Sequence, residues 1–499
     1  MKAVSTEQIR QLDQRTITAG VAGAELMDRA GYAVAKAAVR FLKQRDARSV
    51  LLLAGKGNNG GDAIVAARHL AGAGCHPTLV LFGRREELKG DALLHFQKLV
   101  SGVQVVEAPS PDEVPQLIAE TEPAVIVDGL LGTGLSGDVR EPYASAIGAI
   151  NAWRGPVIAI DIPSGLDSDT GAVRGVAVRA DLTLTMGLPK IGLLTPAAAD
   201  CVGRLEVVDI GFLPRFIEEI QTDVELLVAE DVRALLPVRR RSAHKGEFGH
   251  LLVIAGSEGY TGAPVLAAHA AARAGAGLVT LAVPRSIYPI IAAACPPEIM
   301  PRPFDDLPEL EGFDAIALGP GLGQRPAVSK LVEQVLTRAT VPAVVDADGL
   351  NALAKDLSVR KRIQAPLVLT PHPGEMGRLT GQSAAEIQAQ RWEVARQFAR
   401  EQRVVLVLKG AGTVITDGSG PLWINSTGNP GMARGGMGDA LTGIIGALLA
   451  QGLGPFAAAR AGVWVHGLAG DLACDHQGEQ AMLVSDLIHS LGAAFTALA

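Results

Sequence analysis

Toward the C-terminus, Gly435-Gly436-Met437-Gly438-Asp439 leads into an apolar run, Ala440 to Leu449, with the length and composition of a helix. Glycine lets backbone approach a ligand closely, and the free N–H groups of a helix start point at an anion. An Asp at the end of such a loop sits beside a bound phosphate, where it can take a proton from an attacking hydroxyl. Asp439 is therefore a candidate base for phosphoryl transfer. No G-x-x-x-x-G-K-[ST] string occurs, so this would be phosphate chemistry without a Walker lysine. The competing reading is a glycine turn whose Asp caps the helix.

A second constellation lies in the N-terminal half. Gly55-Lys56-Gly57-Asn58-Asn59-Gly60-Gly61-Asp62 follows the apolar run Val50–Ala54 and opens a helix to about Ala73. With Thr78–Phe82 as the next strand, this is a βαβ unit with a glycine loop. The amides of Asn58 and Asn59 suit a ribose, a carboxamide or a hard cation. Two more buried runs, Ala124–Asp128 and Val157–Asp161, each end in an acid and pass into a polar loop. Asp128 is a candidate cation ligand and Asp161 a candidate acid or base, with Ser164 adding an oxygen. Either Asp could instead cap its turn. Ligands bind beyond the carboxyl ends of parallel strands, so three such loops imply one cleft.

The elements that must carry these residues follow from periodicity. Ser5 to Phe41 has helical spacing, and Leu182–Met186 and Leu205–Ile210 complete a first strand series. A second series comprises 251–256, 278–283, 315–319, 343–348, 367–370 and 404–409, with helical stretches between. Such alternation predicts largely parallel sheets covered on both faces. The chain has 499 residues, too many for one ordinary core, and a boundary is expected near residue 220. The halves share a class but no motifs, so they are two different domains.

Hydrophobic residues make up 48% and charged residues 19%, as in a well-buried globular protein. The net charge of −7 argues against nucleic acid or an anionic membrane as partner. Cys75, Cys201, Cys295 and Cys474 are far apart, as expected of reduced thiols. Met1–Ser5 leads straight into charged sequence without a signal-peptide core, and Ile444–Val465 is interrupted by polar residues, Gly and Pro. A soluble, cytoplasmic homo-oligomer acting on small molecules is expected.

Three strings, Gly55–Asp62, Asp128-Gly129-Leu130-Leu131-Gly132-Thr133-Gly134-Leu135 and Asp161-Ile162-Pro163-Ser164-Gly165-Leu166-Asp167, together resemble the NAD(P)H-hydrate epimerase family. That family interconverts the epimers of a coenzyme whose nicotinamide ring has taken up water. The resemblance implies a Rossmann-like three-layer α/β/α fold over residues 1–218. It also implies that Asn58, Asn59, Gly60, Gly61, Asp62, Gly132, Thr133, Gly134, Leu135, Ser136, Gly137, Asp138 and Tyr143 bind the hydrate. By the same resemblance Asn59, Asp128 and Ser164 hold potassium, and catalytic Asp161 contacts the reacting ring. Ala63 departs from the family, whose loop more often continues with glycine.

Eight further strings occur in the order found in the ADP-dependent NAD(P)H-hydrate dehydratases: 244–246, 255–257, 259–263, 319–323, 346–348, 370–375, 409–413 and 435–439. This resemblance implies a ribokinase-like α/β domain over 227–499. It places Ala263, Gly321, Gly323, His372 and catalytic Asp439 against the hydrate. Lys409, Gly410, Ala411, Gly412, Thr413 and Gly438 would bind ADP or AMP, with Mg2+ accompanying ADP as phosphoryl donor. His372 also reads as a simple turn residue between two prolines. Met437 stands where the family often has a hydroxyl, which should alter affinity and not abolish activity, since backbone groups do the binding. For Arg239, Arg240 and Arg241 a solvated basic loop is the favoured reading over phosphate contacts. Together the halves resemble the bifunctional repair enzyme, which equilibrates the epimers and dehydrates the S form with ADP. The alternatives are a small-molecule kinase fused to a nucleotide-binding module, and a regulatory binder of pyridine nucleotides that does not turn over.

Overall fold

The computed structural model describes residues 1–498, and the chain divides into two compact units, Met1–Val224 and Glu225–Ala499. In the first unit the long helical stretch is two helices, Thr6–Thr18 and Gly23–Gln44. Ser5 caps the first: its hydroxyl accepts from Gln8 N–H, while the Gln8 side chain accepts from Ser5 N–H. The interruption falls at Gly20, whose φ of 107° suits only glycine.

Seven parallel strands follow: β1 Ser49–Ala54, β2 His76–Leu81, β3 Gln104–Glu107, β4 Val125–Gly129, β5 Val157–Ile160, β6 Leu182–Met186 and β7 Arg204–Val208. Their order is β3-β2-β1-β4-β5-β6-β7. β1 pairs β2 on one side and β4 on the other, with Ala54 opposite Gly129. The strand order therefore reverses at β1, and the loops after β1 and β4 border the crevice that such a switch point creates. β3 was not legible in the sequence. Its Gln and Glu leave it half exposed at the sheet edge, without the apolar run of a central strand.

The helix after β1 begins earlier than the glycine content suggests, at Asn58. Gly60 and Gly61 therefore lie in its first turns, not in a loop. A Cβ at Gly60 would lie 1.9 Å from the Gly55 carbonyl, so glycine is what lets this helix start press onto the strand end.

The second unit carries a larger sheet: β8 Val224–Leu226, β9 His250–Ile254, β10 Leu278–Pro284, β11 Ile299–Phe304, β12 Ala315–Leu318, β13 Ala343–Val345, β14 Leu367–Leu369, β15 Val405–Leu408, β16 Thr413–Thr416 and β17 Leu422–Asn425. The order is β11-β10-β9-β12-β13-β14-β15-β16-β17-β8. β9 to β15 pair in parallel, whereas β16 is antiparallel to both β15 and β17. Periodicity misses β11 because Pro301 and Pro303 interrupt it, which an edge strand tolerates. It misses the β16–β17 hairpin because Thr413, Thr416 and Asn425 leave each strand only two or three apolar residues in a row.

Helix Met437–Ala450 is buried along nearly its whole length, and it starts at Met437, so Gly438 and Asp439 occupy its first turn. Ile444 to Val465 is divided between this helix and Pro455–Gln477. Among the described residues no helix is long and apolar enough to cross a membrane.

Gly443 shows how closely helices pack here: a Cβ would lie 2.0 Å from the Ala267 carbonyl on helix Gly262–Arg273. Gly443→Ala should therefore destabilise the second unit by about 1–3 kcal/mol, opposite in sign to the usual helical Gly→Ala gain of about 1 kcal/mol. Gly492→Ala, on helix Val484–Thr496 with open space around it, should show the usual gain. Urea denaturation of the two variants checks both signs.

Two candidate active sites

In the first unit a cleft of about 720 Å³ opens beyond the carboxyl ends of the strands. Asn58, Asn59, Asp62, Gly132, Thr133, Gly134, Leu135, Ser136, Tyr143 and Asp161 line it. Gly60, Gly61, Gly137 and Asp138 do not. Gly61 packs on Met27, and Asp138 lies beside Gly175. Asp161 follows β5 directly with φ of 63°, a left-handed conformation that a residue with a Cβ adopts at some cost. The Met186 N–H donates to it at 2.9 Å, and Lys190 forms an ion pair with the same oxygen. Lys190 is itself 1% exposed, and its ammonium also donates to Thr185 Oγ1 and the Met186 carbonyl.

Lys190 was missed from sequence. The available signal was a lone charged residue four positions beyond the buried strand β6, in Gly187-Leu188-Pro189-Lys190. Asp62 and Asp13 stand on the cleft wall near this pair. Burial, with the nearby Asp161 and Asp13 charges, pushes the Asp62 carboxyl well above its ordinary range.

Asp128 and Ser164 lie behind the cleft. The Asp128 carboxylate accepts from Ser164 N–H at 2.8 Å, Ser164 Oγ at 2.6 Å and Leu130 N–H at 3.2 Å. Burial nevertheless raises its pKa to about 6. Asn59 donates through Nδ2 to the Leu131 carbonyl at 2.9 Å, while its buried Oδ1 has no hydrogen-bond partner. An orphaned amide oxygen and a costly buried carboxylate on adjoining segments are groups that a cation would satisfy.

The second unit gathers its polar residues where β13, β14 and β15 end against the start of helix Met437–Ala450. Asp346, directly after β13, accepts from Lys409 Nζ at 2.6 Å and from Thr442 Oγ1 at 2.8 Å. Lys409 also lies 3.7 Å from Glu375, and a Cβ on Gly438 would come within 3.2 Å of Nζ. Burial works against the Lys409 ammonium, but the fields of Asp346, Glu375 and Asp439 outweigh it and raise its pKa. Lys409 is thus turned inward, onto carboxylates. For Asp439, burial first and the Asp346 charge second push the pKa to about 7, against the opposing Lys409 charge.

Around this centre, Ser257 Oγ donates to the Gly321 carbonyl, and Gly323 N–H donates to Asp348. A Cβ on Gly321 would lie 3.2 Å from Ala263, so these expected hydrate contacts adjoin one another. His372 Nδ1 accepts from Gly374 N–H at 3.0 Å, capping helix Pro373–Thr380 and leaving the ring half exposed. One ring nitrogen thus serves the turn, and Nε2 lies 3.4 Å from Glu375. Gly410, with φ of 138°, makes room for buried Arg391, which donates to the Leu408 carbonyl at 2.5 Å; Thr413 Oγ1 closes the turn onto Gly410. Met437 is buried, so this segment offers backbone and not that side chain. Arg239 lies 3.8 Å from the Phe248 ring centroid and donates to the Gly275 carbonyl.

Two α/β units, each with a polar cluster at the carboxyl end of its sheet, define the class of nucleotide-handling α/β enzymes. A family model described as YjeF-related protein N-terminus matches residues 23–192, and one described as NAD(P)H-hydrate dehydratase matches 251–492. The bifunctional NAD(P)H-hydrate repair enzyme Nnr of Moorella thermoacetica is 43% identical over 487 residues, spanning 93% of this chain and 91% of that relative. Its namesake in Escherichia coli is 40% identical and spans 94% and 88%. The ADP/ATP-dependent NAD(P)H-hydrate dehydratase of Bacillus subtilis, crystallised with ATP and Mg2+, is 35% identical with a TM-score of 0.51, covering 56% of this chain and all of that one. The chain belongs to the bifunctional NAD(P)H-hydrate repair enzymes.

The pairing of Lys409 with nearly inaccessible Asp346 carries a stability consequence. Lys409→Met strands a buried carboxylate and should cost the second unit about 3–5 kcal/mol, read as a lowered midpoint in urea. Asp346→Asn combined with Lys409→Met should recover part of that loss.

Proposed function

We propose that residues 1–218 epimerise the R and S hydrates of NADH and NADPH, and that residues 227–499 dehydrate the S hydrate using ADP. The observation that carries this reading is the environment of Asp439. A carboxylate with its pKa near 7 stands in the first turn of a helix whose N–H groups are free for a phosphoryl group. The hydrate's hydroxyl, on the carbon beside the ring nitrogen, is a poor leaving group. Asp439 takes its proton as the oxygen bonds to the β-phosphorus of ADP and AMP departs. Phosphate then leaves with the C–O electrons, and loss of a proton from the neighbouring carbon restores the ring double bond. Ground-state charge also favours Mg2+ arriving with ADP: Asp346, Asp348 and Glu375 add their charge around Asp439 against Lys409, and phosphates alone would add to that repulsion. The ion would screen the phosphates and stabilise charge on the transferring group.

In the first unit, Asp161, held by Lys190 and the Met186 N–H, acts on the hydroxyl-bearing carbon's substituents. Asn58, Asn59, Asp62, Gly132, Thr133, Gly134, Leu135, Ser136 and Tyr143, which line the cleft, hold the nucleotide, while Gly60 and Gly61 act by seating the helix start. Potassium bound by Asn59, Asp128 and Ser164 would fix the loops after β1, β4 and β5; the partnerless Asn59 Oδ1 supports this. Fusion suits the chemistry, because a stereospecific dehydratase clears one epimer unless the other is converted. The acidic chain suits a cytoplasmic homo-oligomer acting on small molecules.

Supplied with mixed hydrate, ADP and Mg2+, the protein should restore the full reduced-nicotinamide absorbance. Recovery that halts at the S fraction rejects the epimerase reading. Asp439→Asn should lower dehydration by about 10²–10⁴-fold and spare epimerisation, and Asp161→Asn should do the reverse. Dehydratase kcat/KM should rise with pH through about 7 as Asp439 loses its proton, a limb absent from Asp439→Asn. A kinase would instead release a stable phosphorylated product, visible by phosphorus NMR, and a regulatory binder would show no turnover.

Potassium should also act on stability. The Asp128 pKa is raised on folding to about 6, so its stabilising contribution is complete below the ordinary 3.8 and is lost as pH rises through about 6. That loss is about 3 kcal/mol at neutral pH without a counter-ion. Potassium should therefore raise the melting temperature of the first unit more at pH 8 than at pH 4.5; an equal shift at both pH values counts against the site.

A further inference from the structure

The segment that links β17 to the phosphate loop lies directly against helix Pro455–Gln477, and the contacts fall in a regular series. Thr427 Oγ1 donates to the Trp464 carbonyl at 3.1 Å. A Cβ on Gly467 would lie 2.2 Å from Thr427 Oγ1, and one on Gly470 would lie 2.4 Å from the Met432 sulfur. The Asp471 carboxylate accepts from Gly428 N–H at 2.9 Å and from Asn429 Nδ2 at 3.0 Å. Position 467 follows 464 by three residues and precedes 470 and 471 by three and four, so the four share one helix face. Two glycines on that face let the loop press against the helix backbone, and one carboxylate holds its near end at two points. Asn429 passes the constraint on, accepting from Gly431 N–H at 3.0 Å.

The far end is held by a second side chain of the same helix. His466 is buried, and its Nε2 lies 2.9 Å from the carbonyl of Met437, the first residue of the helix that carries Asp439. A carbonyl can only accept, so Nε2 carries the hydrogen. Burial holds the imidazole neutral, with its pKa lowered to about 4, which keeps this one-donor form across the physiological range.

We propose that Asp471 and His466 are positioning residues for dehydration, clamping the two ends of the segment from Gly428 to Met437 so that the N–H groups before Asp439 meet the transferring phosphoryl in register. Neither residue touches the reactants in this scheme. Their effect arises because a displacement of about 1 Å in a phosphoryl cradle costs about 10²-fold in rate. The inference rests on the dehydratase reading of the second unit.

The test uses the full chain, so the epimerase reaction reports on the rest of the same polypeptide. Asp471→Asn replaces a double acceptor with an amide that can accept at only one of its two ends. It should lower dehydratase kcat by about 10²-fold, with the ADP KM within about threefold and epimerisation unchanged. His466→Leu should act likewise, while His466→Gln, which keeps an N–H donor near the same place, should retain activity within a few-fold. A general packing role predicts the reverse ranking, with Leu tolerated better than Gln at a buried site. The inference is overturned if both Asp471→Asn and His466→Leu keep kcat within twofold, or if Gln and Leu at 466 lose activity equally. Should Asp471→Asn not fold, the two His466 variants decide alone. Absence of ADP-dependent dehydration in the unsubstituted protein would instead reject the underlying reading.

Discussion

Each unit concentrates carboxylates at the carboxyl end of its sheet and opposes them with one largely buried lysine, and both candidate sites depend on that imbalance. Asp161 is paired with Lys190 in one unit and Asp346 with Lys409 in the other. Taking two charges out of water is costly, and their attraction repays it only when further hydrogen bonds complete the geometry. Thr185 and Met186 do this for the first pair, and Thr442 does it for the second. The acids left over, Asp62 in one site and Asp439 in the other, cannot all ionise cheaply beside the first. Burial first, and then that shortage of positive charge, raises both pKa values. A group poised between protonation states near neutrality is what proton-transfer chemistry requires.

Glycine supplies the other half of the arrangement. Gly60 against Gly55 and Gly443 against Ala267 bring helix backbone onto neighbouring backbone at distances no Cβ permits. The first brings a helix start to a strand end, and the second seats the helix that begins at the phosphate loop. Gly436, with φ of 95° and Leu266 and Val484 close by, turns the chain into that helix. Helix starts held this way present N–H groups as fixed dipoles that need no reorganisation when charge develops. The two units thus solve one problem with different topologies, one all-parallel and one closed by an antiparallel hairpin.

Much of the architecture was legible because central parallel strands are buried on both faces and must read as short runs of Val, Ile and Leu. β1, β4, β5 and β9 are such runs. The edge strands β3 and β11 were not, because edges tolerate Gln, Glu and Pro, which erase the pattern. Among polar residues, those standing in glycine-rich strings could be picked out, Asp439 and Asn59 among them. His466 could not, since it lies in ordinary apolar surroundings, and the weak signal at Lys190 gains meaning only once folding supplies its partner.

The amino-acid sequence alone determined the kinds of chemistry available here: two glycine loops ending in acids, an acidic chain, and strand series that demand two α/β sheets. Those features are local, set by residue type and by spacing of a few positions. Tertiary structure decided which acids are charged and where they point, because burial and a lysine many residues away set both. It turned Lys409 inward onto Asp346 and split His372 between capping a helix and facing Glu375. Interactions of that range depend on distance and desolvation, which exist only once the chain has folded.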